Sequence, residues 1–428
     1  MNFQKLSHRF SQIQPGEGRA VAWSFCYFFF LLAGYYVLRP LRDEMGIAGG
    51  VRNLPWLFTA TFLVMLVAVP IYGAVVARLP RRRFVPLVYH FFVANLAIFW
   101  MLLASGVEPQ LVARIFFVWI SVFNLFVVSV FWSFMSDLFR SDQGKRLFGL
   151  IAAGGSLGAL AGPTLTVWLA KPLGPVNLLI VAAVLLELAV LCASRLERAA
   201  GAFTQGAGET PKASVPIGGG WLAGLTLLLR SPYLGGIALW VILLSLAGTI
   251  LYLMQAEIVA AASVDPAERT RIFATIDLAA GILTILIQFV ATGRFMTRFG
   301  VGVALAFLPI VFAAGFGVLA VAPVLLVVVG FQAIQRTANF AVSNPAREVL
   351  FTVAAREEKY KAKNVIDIVV FRGADAVSSW LPGVLGLAAS ALAAAMVPVA
   401  FVWAILALWL GRAHERRAPH PQSEGKST

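Results

Sequence analysis

The chain has 428 residues, of which 60% are hydrophobic and 13% charged, with 33 Phe, 11 Trp and a formal net charge of +14. A soluble domain is only about half apolar, so this composition excludes a single water-soluble core and points to an all-α polytopic membrane protein. Two cysteines, Cys26 and Cys192, both inside apolar runs, exclude a disulfide framework and read as small core hydrophobes.

A membrane span needs roughly 20 mostly apolar residues, and the sequence offers twelve such runs. Residues 1–19 form a basic cytoplasmic lead without the pattern of a cleavable signal, so the first span is expected to do the targeting. Spans one to six are placed at Ala20–Leu41, Leu54–Ala77, Phe84–Ser105, Leu111–Met135, Leu147–Ala170 and Val176–Ser194, making residues 20–194 a first six-helix bundle. The polar, small-residue stretch 195–220 reads as a cytoplasmic linker. Residues 221–410 form the second bundle. It opens with Trp221–Leu229, too short to cross, followed by spans at Leu234–Glu257, Arg271–Ala291, Val301–Ala320, Pro323–Val342, Asn364–Leu387 and Ala389–Leu410. Residues 411–428 are expected to be a disordered cytoplasmic tail.

With a cytoplasmic N-terminus and alternating spans, 25 of the 34 Lys and Arg fall in cytoplasmic segments, seven outside and two, Arg336 and Arg372, within spans. That asymmetry is the positive-inside pattern and places both termini in the cytoplasm, in a bacterial inner membrane. The basicity therefore reports topology and not a nucleic acid partner. The partners expected are the lipid bilayer and a small anionic molecule, and the chain is expected to act as a monomer.

The two halves share a loop. Gly73, Arg78, Arg81, Arg82 and Arg83 follow span two, while Gly293, Arg298 and Gly300 follow span eight, with the same glycine-to-arginine spacing of five. A tight cytoplasmic turn places such arginines near negative helix ends and anionic headgroups. The pair resembles the loop motif of the major facilitator superfamily, although Ala77 and Thr297 stand where that motif has an acid. The resemblance implies two six-helix bundles related by an axis along the membrane normal, with a cargo site near the midplane.

Three stretches carry a narrower resemblance, to the ATP/ADP translocase family of plastids and intracellular bacteria. Tyr35, Arg39, Arg42 and Asp43 match the end of that family's first span. Phe131-Trp132-Ser133-Phe134 leading to Lys145-Arg146-Leu147-Phe148 is similar to its fourth-to-fifth connection. Asn344-Pro345-Ala346-Arg347-Glu348, followed by Asp367 and Arg372, is similar to its tenth-to-eleventh connection. Positions 42 and 347 are Arg where the family has Lys, and span four lacks the family's glutamate. Gly154, Gly158 and Gly162 recur every fourth residue in span five before Pro163, a spacing that lets helices approach closely. The piece also resembles a span-five antiporter motif, departing from it at Thr164 and Thr166.

Charged residues inside a membrane are costly and commonly functional. Arg336 lies about 20 Å into span ten and Arg372 about 12 Å into span eleven from the opposite side, so the two sit at similar depth. Gln332, Gln335, Arg336 and Asn339 share one helical face. Arg39, Arg42, Arg336, Arg347 and Arg372 are therefore the candidate contacts for an anionic cargo, since a guanidinium forks onto phosphate or carboxylate. For Arg336 and Arg372 an internal salt bridge or backbone contacts are the structural alternative; for Arg39, a gate pair or a side chain reaching the interface. Asp43, Glu257, Asp277, Asp367 and Asp375 are the candidate gate or proton-coupling acids, with Asp277 a partner for Arg39 or Arg42 and Asp375 one turn from Arg372. Tyr35 and Tyr36 read as packing residues with a base-stacking alternative.

Only four His occur and no phosphate loop, so neither a metal-binding or cofactor-dependent enzyme nor an ATP-hydrolysing pump is expected. The function expected is secondary transport of an organic anion, a nucleotide or phosphorylated metabolite foremost. The alternatives are a lipid or drug carrier of the same fold and a non-transporting membrane sensor or assembly protein.

Overall fold

The computed structural model describes residues 13–14, 17–78, 81–204, 226, 228, 230–290, 292–353, 362–363 and 365–417. Within these, the side chains of 72–78, 81–84, 141–142, 145, 200–204, 289–290 and 292–294 are not described. Most of the described chain is helix, and among the described residues twelve helical stretches are long and apolar enough to cross a membrane. The α-helices that build them are α1 (Gly18–Ala48), α2 (Leu54–Arg78), α3 (Arg81–Ala104), α4 (Pro109–Leu138), α5 (Ser141–Leu173), α6 (Leu178–Thr204), α7 (Pro232–Ala262), α8 (Pro266–Val290), α9 (Thr292–Val321), α10 (Leu325–Ala338), α11 (Phe371–Leu385) and α12 (Ala389–Arg417), with α10 and α11 each one part of a longer span, Leu325–Val353 and Val365–Leu385. The tenth span continues from α10 through a π-helical turn, Asn339–Ser343, into Asn344–Leu350, and a second π-helical turn, Val365–Val370, precedes α11.

Several helices outrun the expected spans. The first continues past Leu41 to Ala48, carrying Arg42, Asp43 and Glu44 inside helix although such charges read as a stop; both acids are buried. The eighth begins at Pro266, five residues early, and α6 runs to Thr204, into the expected linker. The tail expected to be disordered from Gly411 is helical to Arg417, because Gly411 is crossed by Gly302 so closely that a Cβ on it would lie 2.2 Å from the Gly302 Cα. His414 is also buried, and the Arg417 guanidinium lies 4.4 Å from the Tyr233 ring centre. Residues 205–220 and 418–428, and all of Trp221–Leu229 except 226 and 228, lie outside the described residues.

The chain divides into two compact units, Met1–Val215 with Val259–Leu278, and Pro216–Ile258 with Ala279–Thr428. Unit 1 is organised on α1, which packs against α4, α5 and α6. The glycine stripe of α5 makes this possible: a Cβ on Gly154, Gly158 or Gly162 would lie 2.4, 2.3 and 2.6 Å from the carbonyl oxygens of Phe25, Phe29 and Ala33. Without hydrophobic driving force between helices in lipid, such backbone contact and its dispersion energy supply the association. Aromatic rings fill the other face. Phe28 stacks on Phe131 at 4.0 Å, Trp132 meets Phe148 edge-on at 5.6 Å, and the Tyr27 hydroxyl donates to Tyr89 at 2.8 Å. The Phe131–Phe148 stretch is thus packing in unit 1.

In unit 2, α9 packs on α12. Trp240 and Phe312 flank Trp403, with ring centres 5.4 and 5.6 Å from it, and Phe331 meets Phe312 edge-on at 5.5 Å. Gly300 has φ 80°, a backbone only glycine adopts without strain, and it turns the chain between the α8 connection and the body of span nine.

Gly158→Val is expected to lower the thermal midpoint of purified protein sharply, since overpacking costs about 1–3 kcal/mol even where side chains give way and here the obstacle is backbone. An unchanged midpoint would contradict the α1–α5 packing.

Candidate functional site

Unit 1 places a charge ladder between α1 and the residues of α8 that belong to this unit. Arg39 lies 9 residues, about 13 Å, from the end of α1, and Asp277 lies 11 residues, about 16 Å, into α8. Their ion pair measures 3.5 Å, and the Asp277 side chain is 1% exposed. Arg39 also lies 5.6 Å from the Tyr36 ring. Nearer the helix ends, Glu44 and Arg269 form a bidentate pair, Nε to Oε2 at 2.6 Å and Nη2 to Oε1 at 2.7 Å. The polarity is swapped between the two rungs: α1 supplies the cation in one and the anion in the other. Lys171 on α5 holds Glu268 at 2.8 Å beside them. Arg42 turns to its neighbour Asp43 at 2.7 Å and covers the Phe117 ring at 5.2 Å.

Unit 2 holds the second group. Asp375, buried on α11, accepts from Ser245 at 2.5 Å and Thr249 at 3.0 Å, both on α7, and from Arg372 at 3.4 Å. One turn apart on α7, Ser245 and Thr249 present both hydroxyls to a single carboxylate oxygen. Arg347 reaches Asp367 at 3.2 Å, linking the two spans beside their π-helical turns. Lys363 holds Glu348 at 2.5 Å. Arg336 is 8% exposed, below Gln332, whose side chain accepts from Gln335 at 2.8 Å. π-helical turns recur at functional positions in helices, and here they frame the Arg347–Asp367 pair.

Of the sequence candidates, the structure joins Arg39 to Asp277, Arg42 to Asp43, Arg347 to Asp367 and Arg372 to Asp375. Glu257 is exposed on α7 and is joined to none of these groups by a described ion pair. Arg298 is exposed and lies against its neighbour Phe299. The side chains of Gly73, Arg78, Arg81, Arg82, Arg83 and Gly293 lie outside the described residues, so the loop motif has structure here only at Arg298 and Gly300. The Glu44–Arg269 rung, Ser245 and Thr249 were missed. The hydroxyl pair did have a signal, two polar residues four apart in an apolar span.

Where the chain enters α1, Glu17 is buried and takes the Gln14 amide, Gln143 and Arg146 at 2.9–3.1 Å. Burial raises this carboxyl, but the three donors and the Arg146 charge outweigh it and hold the group below the ordinary glutamate value. An apolar groove of about 700 Å³ contains none of these pairs. It is walled by α2, α3 and α4, among them Val64, Ile71, Phe91 and Ile115, with Arg114 the one charged lining residue and its Nε on the Gly49 carbonyl. Among the described residues no cluster of three His, Cys, Asp or Glu is placed to hold a metal.

Solved structures resemble the whole of this arrangement. A bacterial homologue of the human lysosomal transporter Spinster, in an inward-facing and unoccupied conformation, matches over 96% of this chain and 100% of its own at 15% identity and a TM-score of 0.55. A point mutant of the nucleoside transporter NupG matches over 94% and 100%, at 13% identity and a TM-score of 0.58. The chain has the major facilitator fold. It is a multi-pass membrane protein, and the proteins it resembles in fold are transporters rather than enzymes. No family model matches the sequence, and no curated protein is similar to it. Neither neighbour is titled an ATP/ADP translocase, so that narrower resemblance rests on the residues that carry it.

The ladder predicts a non-additive stability pattern. Breaking a buried ion pair by removing one partner costs about 3–5 kcal/mol, whereas replacing both with apolar residues is often neutral. Glu44→Leu and Arg269→Leu are each expected to lower the thermal midpoint, and the double replacement to recover most of it. Additive losses in the double variant would contradict a desolvated pair.

Proposed function

We propose that this chain is a secondary transporter that moves an organic anion, a nucleotide or phosphorylated metabolite foremost, by alternating access across a bacterial inner membrane, with both termini in the cytoplasm. One observation carries the proposal: four of the five candidate arginines are held against carboxylates within membrane-spanning helices, and the fifth, Arg336, is buried. An arginine so placed exchanges one anion for another at little net electrostatic cost, because a cargo phosphate replaces the carboxylate before water must. Arg39, Arg336 and Arg372 are the cargo contacts of this proposal, and Asp277, Asp367 and Asp375 the resting partners that hold arginines when no cargo is bound. The pairs of unit 1 then act as a gate that breaks and reforms as the transporter rocks. The nucleoside transporter among the similar folds is in keeping with a nucleotide-like cargo, and the Tyr35–Asp43 and Asn344–Arg372 stretches supply the same direction.

A second reading, a lipid or drug carrier, is favoured by a different observation. Arg39 and Arg372 are occupied by partners, and a groove of about 700 Å³ on unit 1 is apolar.

Uptake of labelled nucleotides into proteoliposomes, with and without internal nucleotide, separates the two. The anion reading predicts uptake above background in wild type and a loss of about tenfold or more in Arg39→Ala and in Arg336→Ala, the scale of one charge-assisted contact. Equal background flux in all three would remove the nucleotide reading. Flux of a labelled single-chain phospholipid that ignores both substitutions would establish the second.

A further inference from the structure

Around the buried Asp375, hydroxyl, carboxylate and carbonyl oxygens crowd together. The Ser245 hydroxyl lies 2.5 Å from Asp375 Oδ1 and 3.2 Å from the Phe371 carbonyl oxygen, and it has one proton for two acceptors. Thr249 brings a second hydroxyl to the same Oδ1 at 3.0 Å. Four oxygens, two hydroxyl, one carboxylate and one backbone carbonyl, thus converge inside unit 2, with Ser245, Thr249 and Asp375 only 2, 3 and 7% exposed. The carbonyl belongs to Phe371, the first residue of α11 after the π-helical turn Val365–Val370.

The charge of this cage decides which ion suits it. All-oxygen ligands select hard cations, and a single carboxylate balances one positive charge, not two. Arg372 approaches the other carboxylate oxygen at 3.4 Å with its own side chain 28% exposed. It neutralises Asp375 from outside the cage without entering it.

We infer that Ser245, Thr249, Asp375 and the Phe371 carbonyl form a sodium site, and that Arg372 is the ion's competitor for Asp375. Hard-cation contacts of about 2.3–2.6 Å set ligand oxygens roughly 3.4 Å apart, so loading widens the Ser245–Asp375 approach most and the Thr249–Asp375 and Ser245–Phe371 contacts less. A sodium ion on Asp375 releases Arg372, which is then available to an anionic cargo. Sodium and anion binding are thereby coupled with the same sign, each favouring the other. The coupling rests on the transport proposal above; occupancy of the cage does not.

The test uses full-length protein in detergent with no nucleotide present, so it is independent of any uptake result. Thermal midpoints are measured against sodium chloride, with choline chloride holding ionic strength constant. Wild type is expected to show a saturable rise specific to sodium, following ligand linkage. Thr249→Val, which keeps the side-chain shape, and Asp375→Asn are expected to lose it. Arg372→Gln is expected to lower the half-saturating sodium concentration by about tenfold or more, because a competing charge some 4 Å away is removed. That gain keeps the inference testable even if Asp375→Asn fails to fold. Identical midpoints in sodium and choline for both wild type and Arg372→Gln would overturn it. So would a sodium response that persists unchanged in Thr249→Val, or a response to pH alone.

Discussion

A charge held in the hydrocarbon layer without a counter-charge costs several kcal/mol, and the pairing of Arg39 with Asp277 and of Glu44 with Arg269 is how unit 1 meets that constraint. The consequences reach into the backbone. Because Asp43 and Glu44 are satisfied by side chains, α1 stays helical through seven residues that would otherwise turn out into water. Because Arg269 and Asp277 face α1, the start of α8 belongs with unit 1. In unit 2 the same constraint draws Ser245 and Thr249 to Asp375 and sets Arg347 against Asp367 beside the π-helical turns.

Buried pairs of this kind are poor devices for stability alone. Well-packed apolar residues in their place are often as stable or more so, and the rest of the chain shows that this sequence packs apolar residues well, from the glycine stripe of α5 to the rings around Trp403. Retaining arginine–carboxylate pairs in membrane helices makes physical sense where a cation must give up one anion and take another. That exchange is the elementary step an anion transporter needs.

Local patterns were legible in the sequence and long-range compensation was not. Twelve apolar runs, the four-residue glycine spacing and the Arg372–Asp375 pairing at i, i+3 all follow from distances along one helix. Arg39 with Asp277 was open to chemistry, since each had few partners. Glu44 with Arg269 was not, because each lies near the end of its hydrophobic run, where an acid or an arginine ordinarily meets water. The same blindness shortened α1 and α12: their last turns are secured by Arg269 and by Gly302, neither a local neighbour. The π-helical turns leave no periodicity signal at all. The loop glycine at 300 was legible as punctuation, and its positive φ is the reason.

A double-mutant cycle on transport across Arg39 and Asp277 is the most direct measure of whether these pairs work as exchangeable partners. Rates of nucleotide uptake are compared for wild type, Arg39→Gln, Asp277→Asn and the double variant, with the charge swap Arg39→Asp/Asp277→Arg as the fifth point. The account predicts a large coupling energy, with the double variant losing no more than the worse single one and the swap recovering the protein's membrane assembly but not its uptake, since the guanidinium has left the cargo side. Independent, multiplicative losses with no coupling would contradict it.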